Sequence, residues 1–207
     1  MGMVKILIVE NDPLAVRFFK MMLEENYEIT HVLESAQQAL NYCKNNPVDL
    51  ILMDICTNFN SSGLEVSQQI KQIYPHIKIV IVTSQPECDY INRAKEAKVD
   101  SFWYKTSVDK ELLEVIDKTL QGISIYPDET PQINIGYALS TDFTPRELDV
   151  LRELTTGDTN AEIAKRLGLS SITVRNHIQN MLEKTGYTSR TTLAVVAGKT
   201  GLVNKEY

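Results

Sequence analysis

The chain holds 207 residues, 43% hydrophobic and 23% charged, enough to bury one large core or two small ones. Its formal net charge of −6 is uneven: residues 1–122 carry −5, residues 123–143 carry −3 and residues 144–207 carry +2. No apolar run approaches the roughly 20 residues that span a bilayer, the first residues lack a small-residue cleavage site, and Cys43, Cys56 and Cys88 show no CxxC spacing, so a membrane span, a secretory signal, a disulfide framework and a zinc module are all disfavoured and a cytoplasmic chain is expected.

The first part alternates strand and helix. Val4 to Val9 is a short apolar run ending in acid, the mark of a buried strand. Residues 13–25 have helical spacing that puts Val16, Phe19 and Leu23 on one face; Glu28 to Val32 is a second strand; residues 35–45 are a helix with Ser35 as cap. Asp49 to Met53 is another buried strand, followed by Asp54; Gly63 to Tyr74 is a helix stopped by Pro75; Ile77 to Val82 is the most β-branched strand and ends at Thr83. Residues 87–97 are helical, Ser101 to Tyr104 is a fifth strand, and Thr106-Ser107-Val108-Asp109 caps a last helix running to about Gln121. Strands alternating with helices predict a (βα)5 domain, a parallel sheet covered on both faces. Residues 123–143 break the pattern. With Pro127, Pro131 and Gly136 and no Lys or Arg, they read as a linker with a partly ordered segment.

Residues 144–185 hold three helical patterns. Thr144-Pro145-Arg146-Glu147 and Thr159-Asn160-Ala161-Glu162 are capping boxes. Ser170 or Ser171 caps the third helix, which stops at Gly186. Only Gly168-Leu169-Ser170 joins the last two, a helix-turn-helix linkage of the kind that lays its second helix in a DNA major groove. On that second helix Ile172, Val174, Ile178, Met181 and Leu182 are apolar, most of them expected in the core. Arg175, Asn176 and Gln179 can share the opposite face and carry the groups that read guanine and adenine edges. Thr173, Lys165, Lys184 and Arg190 are candidate phosphate contacts. An ordinary solvated face is the competing reading. Residues 190–203 form a fourth helix with an apolar stripe at Leu193, Val196 and Ala197.

Ligands of open parallel sheets bind beyond the carboxyl ends of the strands. Glu10-Asn11, Asp54, Thr83 and Lys105 all fall at such ends. A carboxylate near further acids and a lysine can hold Mg2+ through hard oxygen ligands and accept a phosphoryl group. The lysine and the cation neutralise the transferring oxygens, and the Thr83 hydroxyl can bond the new acyl phosphate. The plainer alternative is that Asp54 and Thr83 only cap the adjoining loops. His31 and His76 read as structural or solvated, and Gly198-Lys199-Thr200 continues a helix and lacks the earlier glycine of a P-loop.

These motifs resemble those of bacterial two-component response regulators of the NarL/FixJ (LuxR-type) family, over nearly the whole chain and least in the linker. The resemblance implies a CheY-like (βα)5 doubly wound receiver in residues 1–122, a linker over 123–143 and an all-α four-helix LuxR-type helix-turn-helix domain in residues 144–207. It implies that Asp54, ending DLILMD, is the phosphoacceptor for a partner sensor histidine kinase. Thr83 after IVIV is then the switch hydroxyl, Lys105 in FWYK the phosphate-contacting lysine, and Phe102 the aromatic that turns inward on activation. Glu10, Asn11, Asp54 and the main-chain carbonyl of Cys56 form the Mg2+ site, while the Cys56 side chain and Gln85 fall on positions that tune dephosphorylation. In the TVRNH frame the base contacts fall on Arg175, Asn176 and Gln179, with His177 buttressing the helix or a phosphate. The fourth helix pairs two domains into a homodimer on double-stranded promoter DNA. The expected function is thus a transcription regulator, not an enzyme.

Two departures from the family pattern stand out. Asn11 occupies the position of a second acid, and the loop after Asp54, CTNFNSS, is polar, with Thr57-Asn58 for the usual Met-Pro and Gly63 nine residues on instead of eight. Both predict weaker Mg2+ binding and slower phosphorylation, since anionic ligand count tunes affinity for hard cations. They also motivate a rival in which the receiver is a phosphorylation-independent dimerisation or partner-binding module. An enzyme on the α/β domain leaves the helix-turn-helix unexplained, and RNA binding lacks stacking aromatics.

Overall fold

A computed structural model describes residues 2–58, 61–87, 89–105 and 112–203, so Cys88, the expected cap Thr106 to Asp109, and Phe59 and Asn60 of the loop after Asp54 lie outside the described residues. The chain divides into two compact units, built mainly on residues 1–84 with 90–128 and on residues 129–205. Among the described residues no helix is long and apolar enough to cross a membrane.

In the first unit the elements run β1 (Lys5–Val9), α1 (Pro13–Leu23), β2 (Glu28–Leu33), α2 (Gln37–Asn45), β3 (Leu50–Met53), β4 (Cys56–Thr57), β5 (Ser61–Ser62), α3 (Gly63–Ile73), β6 (Lys78–Thr83), α4 (Tyr90–Glu96), β7 (Ser101–Tyr104) and α5 (Leu112–Leu120). Five of the strands form one parallel sheet in the order β2-β1-β3-β6-β7. The apolar runs that mark these strands are two interleaved sets, because successive side chains leave opposite faces. Leu7, Val9, Ile51, Met53, Ile79, Ile81, Phe102 and Tyr104 pack with Ala39, Leu64, Ile70 and Ala94 of α2, α3 and α4. Ile6, Ile8, Leu50, Leu52, Val80, Val82 and Trp103 pack with Phe19 and Leu23 of α1 and with Val115 and Ile116 of α5. Strands with no polar face require a sheet covered on both sides.

Local chemistry sets the helix starts, with one correction. Asp12 caps α1 by accepting from the Leu14 N–H at 2.9 Å, and Ser62 caps α3. Ser35 does not cap α2. That helix starts one residue later on Ala36, with no side-chain cap, and the buried Ser35 hydroxyl makes no hydrogen bond among the described residues. The Ala36 N–H is bonded by the Thr57 hydroxyl at 2.9 Å, a partner 21 residues away.

The stretch expected to be a linker is more ordered than its composition suggests. Ile125 extends beside β7, its carbonyl accepting from Phe102 N at 2.8 Å and its N–H donating to Ser101 Oγ at 3.0 Å. The Tyr126 hydroxyl donates to the Val99 carbonyl at 2.6 Å. Further on, β8 (Asn134–Ile135) and β9 (Ala138–Leu139) form a hairpin belonging to the second unit.

That unit carries α6 (Pro145–Leu154), α7 (Asn160–Leu167), α8 (Ser171–Thr185) and α9 (Arg190–Thr200). Both capping boxes form: Thr144 N–H donates to Glu147 and Thr159 N–H to Glu162, each at 2.8 Å. Gly168 closes α7 with φ 64°, a left-handed residue that lets the chain turn within three residues into α8. Ser170 is the cap of α8, accepting from Thr173 N at 3.0 Å. α9 ends at Thr200 instead of residue 203, and Leu202 and Val203 fold back into the core. That core joins Leu148, Leu151, Ile163, Val174, Ile178, Met181, Leu193 and Ala197 with Ile135 of the hairpin.

Glu147 does more than cap. It is buried, and Lys184 Nζ donates to both its oxygens at 2.9 and 2.7 Å and to the Asp142 carbonyl at 2.8 Å. Burial works against the charge, but the Lys184 ammonium and the Thr144 N–H and hydroxyl outweigh it and hold the carboxyl below its usual 4.5. A depressed carboxyl stabilises the fold above its unfolded pKa and loses that contribution on acidification. Glu147→Gln is therefore expected to destabilise the helical unit by about 1–3 kcal/mol at neutral pH. Urea unfolding followed by circular dichroism should show the gap to the parent closing as the pH falls below about 4.5.

Candidate functional site: an acidic strand edge and an exposed helix face

The strand register lines up the predicted acidic residues. Val9 pairs with Met53, and the next residues, Glu10 and Asp54, both leave the carboxyl edge of the sheet. Asp54 N donates to the Val9 carbonyl at 2.9 Å, and Lys105 N to the Thr83 carbonyl at 2.8 Å. The edge between β1 and β3 is also where the strand order reverses, the position at which open α/β sheets bind ligands.

Glu10, Asp54 and Thr83 are buried there at 1%, 6% and 0% exposure. Lys105 Nζ donates to Glu10 Oε2 at 2.5 Å and lies 3.5 Å from Asp54 Oδ1. The other Glu10 oxygen accepts from Asp12 N at 2.9 Å. Two buried carboxylates thus share one ammonium. The Asp54 carboxyl is pushed up from 3.8 to about 7: burial raises it most, Lys105 opposes, Glu10 raises it further, and the Ile55 N–H lowers it.

The loop after Asp54 is a short antiparallel stem, with Cys56 facing Ser62 and Thr57 facing Ser61. Thr57 Oγ1 donates to the Ser61 carbonyl at 2.8 Å. Gly63 N donates to the Ile55 carbonyl at 2.8 Å, and a Cβ on Gly63 would sit 2.0 Å from the Asp54 carbonyl oxygen, so the return of this loop requires glycine. Asn11 Nδ2 donates to Asn58 Oδ1 at 3.1 Å; Asn58 in turn donates through Nδ2 to Glu34 Oε2 at 3.2 Å and through its backbone N to the Glu34 carbonyl at 2.9 Å. Asn58 and Glu34 were not legible as site residues, because only the strand order brings the end of β2 beside that of β1.

Among the described residues no group of three or more His, Cys, Asp and Glu is arranged to hold a metal ion, and position 11 carries an amide. The donor chemistry nonetheless fits Mg2+. It consists of oxygens only, and two buried carboxylates, Glu10 and Asp54, face the single ammonium of Lys105. Phe102 is buried at 1% exposure, its ring 4.9 Å from Tyr104 and 6.5 Å from Tyr126. Cys56 Sγ lies 3.9 Å from the Tyr90 hydroxyl. His31 stacks on Tyr42 at 5.4 Å and His76 meets Tyr74 edge-on, so neither joins the acidic edge.

In the helical unit α8 buries Val174, Ile178 and Met181 and exposes Arg175, Asn176 and Gln179. Gln179 Nε2 donates to Glu183 at 2.8 Å, and the hydroxyls of Thr173 and Ser170 lie 2.8 Å apart. Ile172 is 64% exposed beside this polar face instead of packing inward. His177 is half-buried and Lys165 exposed on α7. Two of the candidate phosphate contacts have internal work: Lys184 is committed to Glu147 and Asp142, and Arg190 donates to Asn160 Oδ1 at 2.8 Å and the Asp158 carbonyl at 2.6 Å, tying α9 to the start of α7.

The response regulator receiver domain matches residues 6–117, and the luxR family of bacterial regulatory proteins matches residues 141–197. The chain belongs to the LuxR-type response regulators. Relatives of this response regulator include the Fimbriae Z protein of Escherichia coli K12, 30% identical over 189 residues that cover 87% of this chain and 90% of that one. The response regulator protein VraR of Staphylococcus aureus is 29% identical over 207 residues, covering 97% and 99%. Of solved structures, two RcsB dimers bound to two parallel DNAs match with a TM-score of 0.61 at 16% identity, over 98% of this chain and 100% of that one. RcsB from Salmonella enterica serovar Typhimurium, bound to promoter rprA with the phosphomimetic BeF3-, matches with 0.58 at 17% identity over the same shares. At these identities the likeness concerns the fold. A LuxR-type response regulator is a DNA-binding transcription regulator, and receiver domains as a class use Mg2+ and histidine kinases.

The raised Asp54 carboxyl has a consequence for stability. Folded, it keeps its proton up to about pH 7; unfolded, only to its usual 3.8. In that window the folded chain binds more protons, so this group's contribution falls as pH rises. Asp54→Asn, which cannot ionise, is expected to melt at a higher temperature than the parent at about pH 8. Thermal unfolding by circular dichroism should show the gain shrinking as the pH is lowered through 7 toward 4.

Proposed function

We propose that this response regulator is switched by phosphorylation of Asp54, and that the switch controls promoter binding. An Asp54 oxygen attacks the phosphorus of a phosphohistidine on a partner sensor kinase; the P–O bond forms as the P–N bond breaks, and the imidazole leaves and is protonated. The observation that carries this reading is the under-neutralised pair Glu10 and Asp54 around Lys105 at the strand-order reversal. Lys105 offsets the charge on the transferring oxygens, and the Thr83 hydroxyl at the neighbouring strand end bonds the acyl phosphate. Asp54, Asn11, the Cys56 carbonyl and Glu10 would hold Mg2+, which would supply the remaining positive charge. With an amide at position 11 it binds more weakly than with a second acid there, and phosphorylation is slower. Thr83 and Phe102 then reorder, a population shift between two receiver states.

Downstream, Arg175, Asn176 and Gln179 read base edges in the major groove, with Thr173 and Lys165 on phosphates and His177 supporting the helix. The mild charge of residues 144–207, +2, leaves one domain a weak binder. Pairing through α9 into a homodimer puts two reading helices about one DNA turn apart and multiplies affinity by effective concentration. The solved RcsB dimers bound to DNA support a dimer on DNA.

Intact mass after incubation with Mg2+ and a small acyl-phosphate donor should reveal one phosphoryl adduct, absent without Mg2+ and absent in Asp54→Ala. A chain that gains no adduct yet binds its promoter would instead be controlled by dimerisation or partner binding alone. Arg175→Ala is expected to cost about 1–3 kcal/mol on the preferred operator and to relax selectivity at one base pair. Binding to single-base operator variants measures this; an equal loss on every sequence would make Arg175 a backbone contact.

A further inference from the structure

The two departures from the family pattern meet. Asn11, in the position of an acid, and Asn58, in the lengthened loop, are hydrogen-bonded to each other and end on Glu34. A carboxamide has two unlike ends: an oxygen that accepts, and an NH2 that only donates. Turned the wrong way, Asn11 would present N–H dipoles to a cation instead of a lone pair. An ionised carboxylate only accepts, so Glu34 decides the direction of the whole chain. It requires the NH2 of Asn58, which leaves the Asn58 oxygen toward Asn11, which in turn requires the NH2 of Asn11. The opposite polarity would set the Asn58 oxygen against the Glu34 carboxylate, acceptor against acceptor. The backbone bond from Asn58 N to the Glu34 carbonyl, 2.9 Å, holds the two residues in register independently of their side chains.

We infer that Asn58 and Glu34 are positioning residues for the cation site: they fix the Asn11 carboxamide with its oxygen, not its nitrogen, available to the metal. This rests on the Mg2+ reading above and extends it. An aspartate at position 11 would need no such partner, because its two oxygens are equivalent. The amide at 11 and the polar loop are then one device, not two separate losses.

The test is a double-mutant cycle on the full chain. Mg2+ is titrated into 15N-labelled parent, Asn58→Ala, Asn11→Asp and the double variant, and binding is read from the backbone amides of Asp54 and Ile55 by NMR, without any phosphoryl transfer. Asn58→Ala is expected to weaken Mg2+ about tenfold beside Asn11, the low end for loss of a residue that orients a metal ligand. In the Asn11→Asp background the same change should cost less than about twofold, because orientation no longer matters. Equal losses in both backgrounds would mean that Asn58 acts only by shaping the loop, and no loss beside Asn11 would mean that it orients nothing; either result overturns the inference. Saturable binding only in the two Asn11→Asp proteins would remove Asn11 as a ligand and with it this role for Asn58, leaving Asp54 as phosphoacceptor. No binding in any of the four would remove the metal site itself, and with it the proposed Mg2+-dependent phosphorylation.

Discussion

Lys105 lies between two buried carboxylates and carries charge enough for one. It bonds Glu10 at 2.5 Å and stands 3.5 Å from Asp54; burial pushes the Asp54 carboxyl up to about 7, and Lys105 opposes that rise without cancelling it. The three residues close the carboxyl ends of β1, β3 and β7, their backbone N–H groups still bonded to the neighbouring strands. Removing water from such a cluster strengthens every interaction within it, favourable or not. A site built this way is poised for added positive charge, whether from a cation or from a proton. It resists a second negative charge until that has been supplied. The same imbalance therefore serves as a structural cost and a chemical opportunity.

The helical unit manages charge in the opposite manner. Its basic groups are few, and two of them, Lys184 and Arg190, hold helices together. The exposed polar residues of α8 include Arg175 and three amides, Asn176, Gln179 and Asn180. Ile172 on the same side extends the exposed face with an apolar surface of the kind that fits a thymine methyl.

The strands, their order of burial and the four polar strand ends were legible in the sequence because each arises from local period. A run without a polar face must be covered twice, and the polar residue at its end must emerge at the sheet edge. The capping boxes at Thr144 and Thr159 were legible for the same reason, with both partners within one turn. Contact at long range was not legible. Ser35 looked like a cap, but its hydroxyl makes no hydrogen bond among the described residues, and the Ala36 N–H beside it is held by Thr57, distant in sequence. Proline-rich residues 123–143 read as linker, yet Ile125 and Tyr126 find backbone partners on β7 and Val99 that no local pattern announces. Likewise Asn58 became a candidate only when the order β2-β1-β3 brought Glu34 and Asn11 within its reach.

The stem after Asp54 bears on how such a chain can change. Its base is clamped where Gly63 N meets the Ile55 carbonyl and where the bare Gly63 α-carbon passes the Asp54 carbonyl. Changes of length made beyond that clamp leave the Asp54 peptide held. A designer could therefore graft a reporter or a binding epitope beyond the clamp. Position 63 itself admits no such freedom: any side chain would have to displace Asp54 to fit.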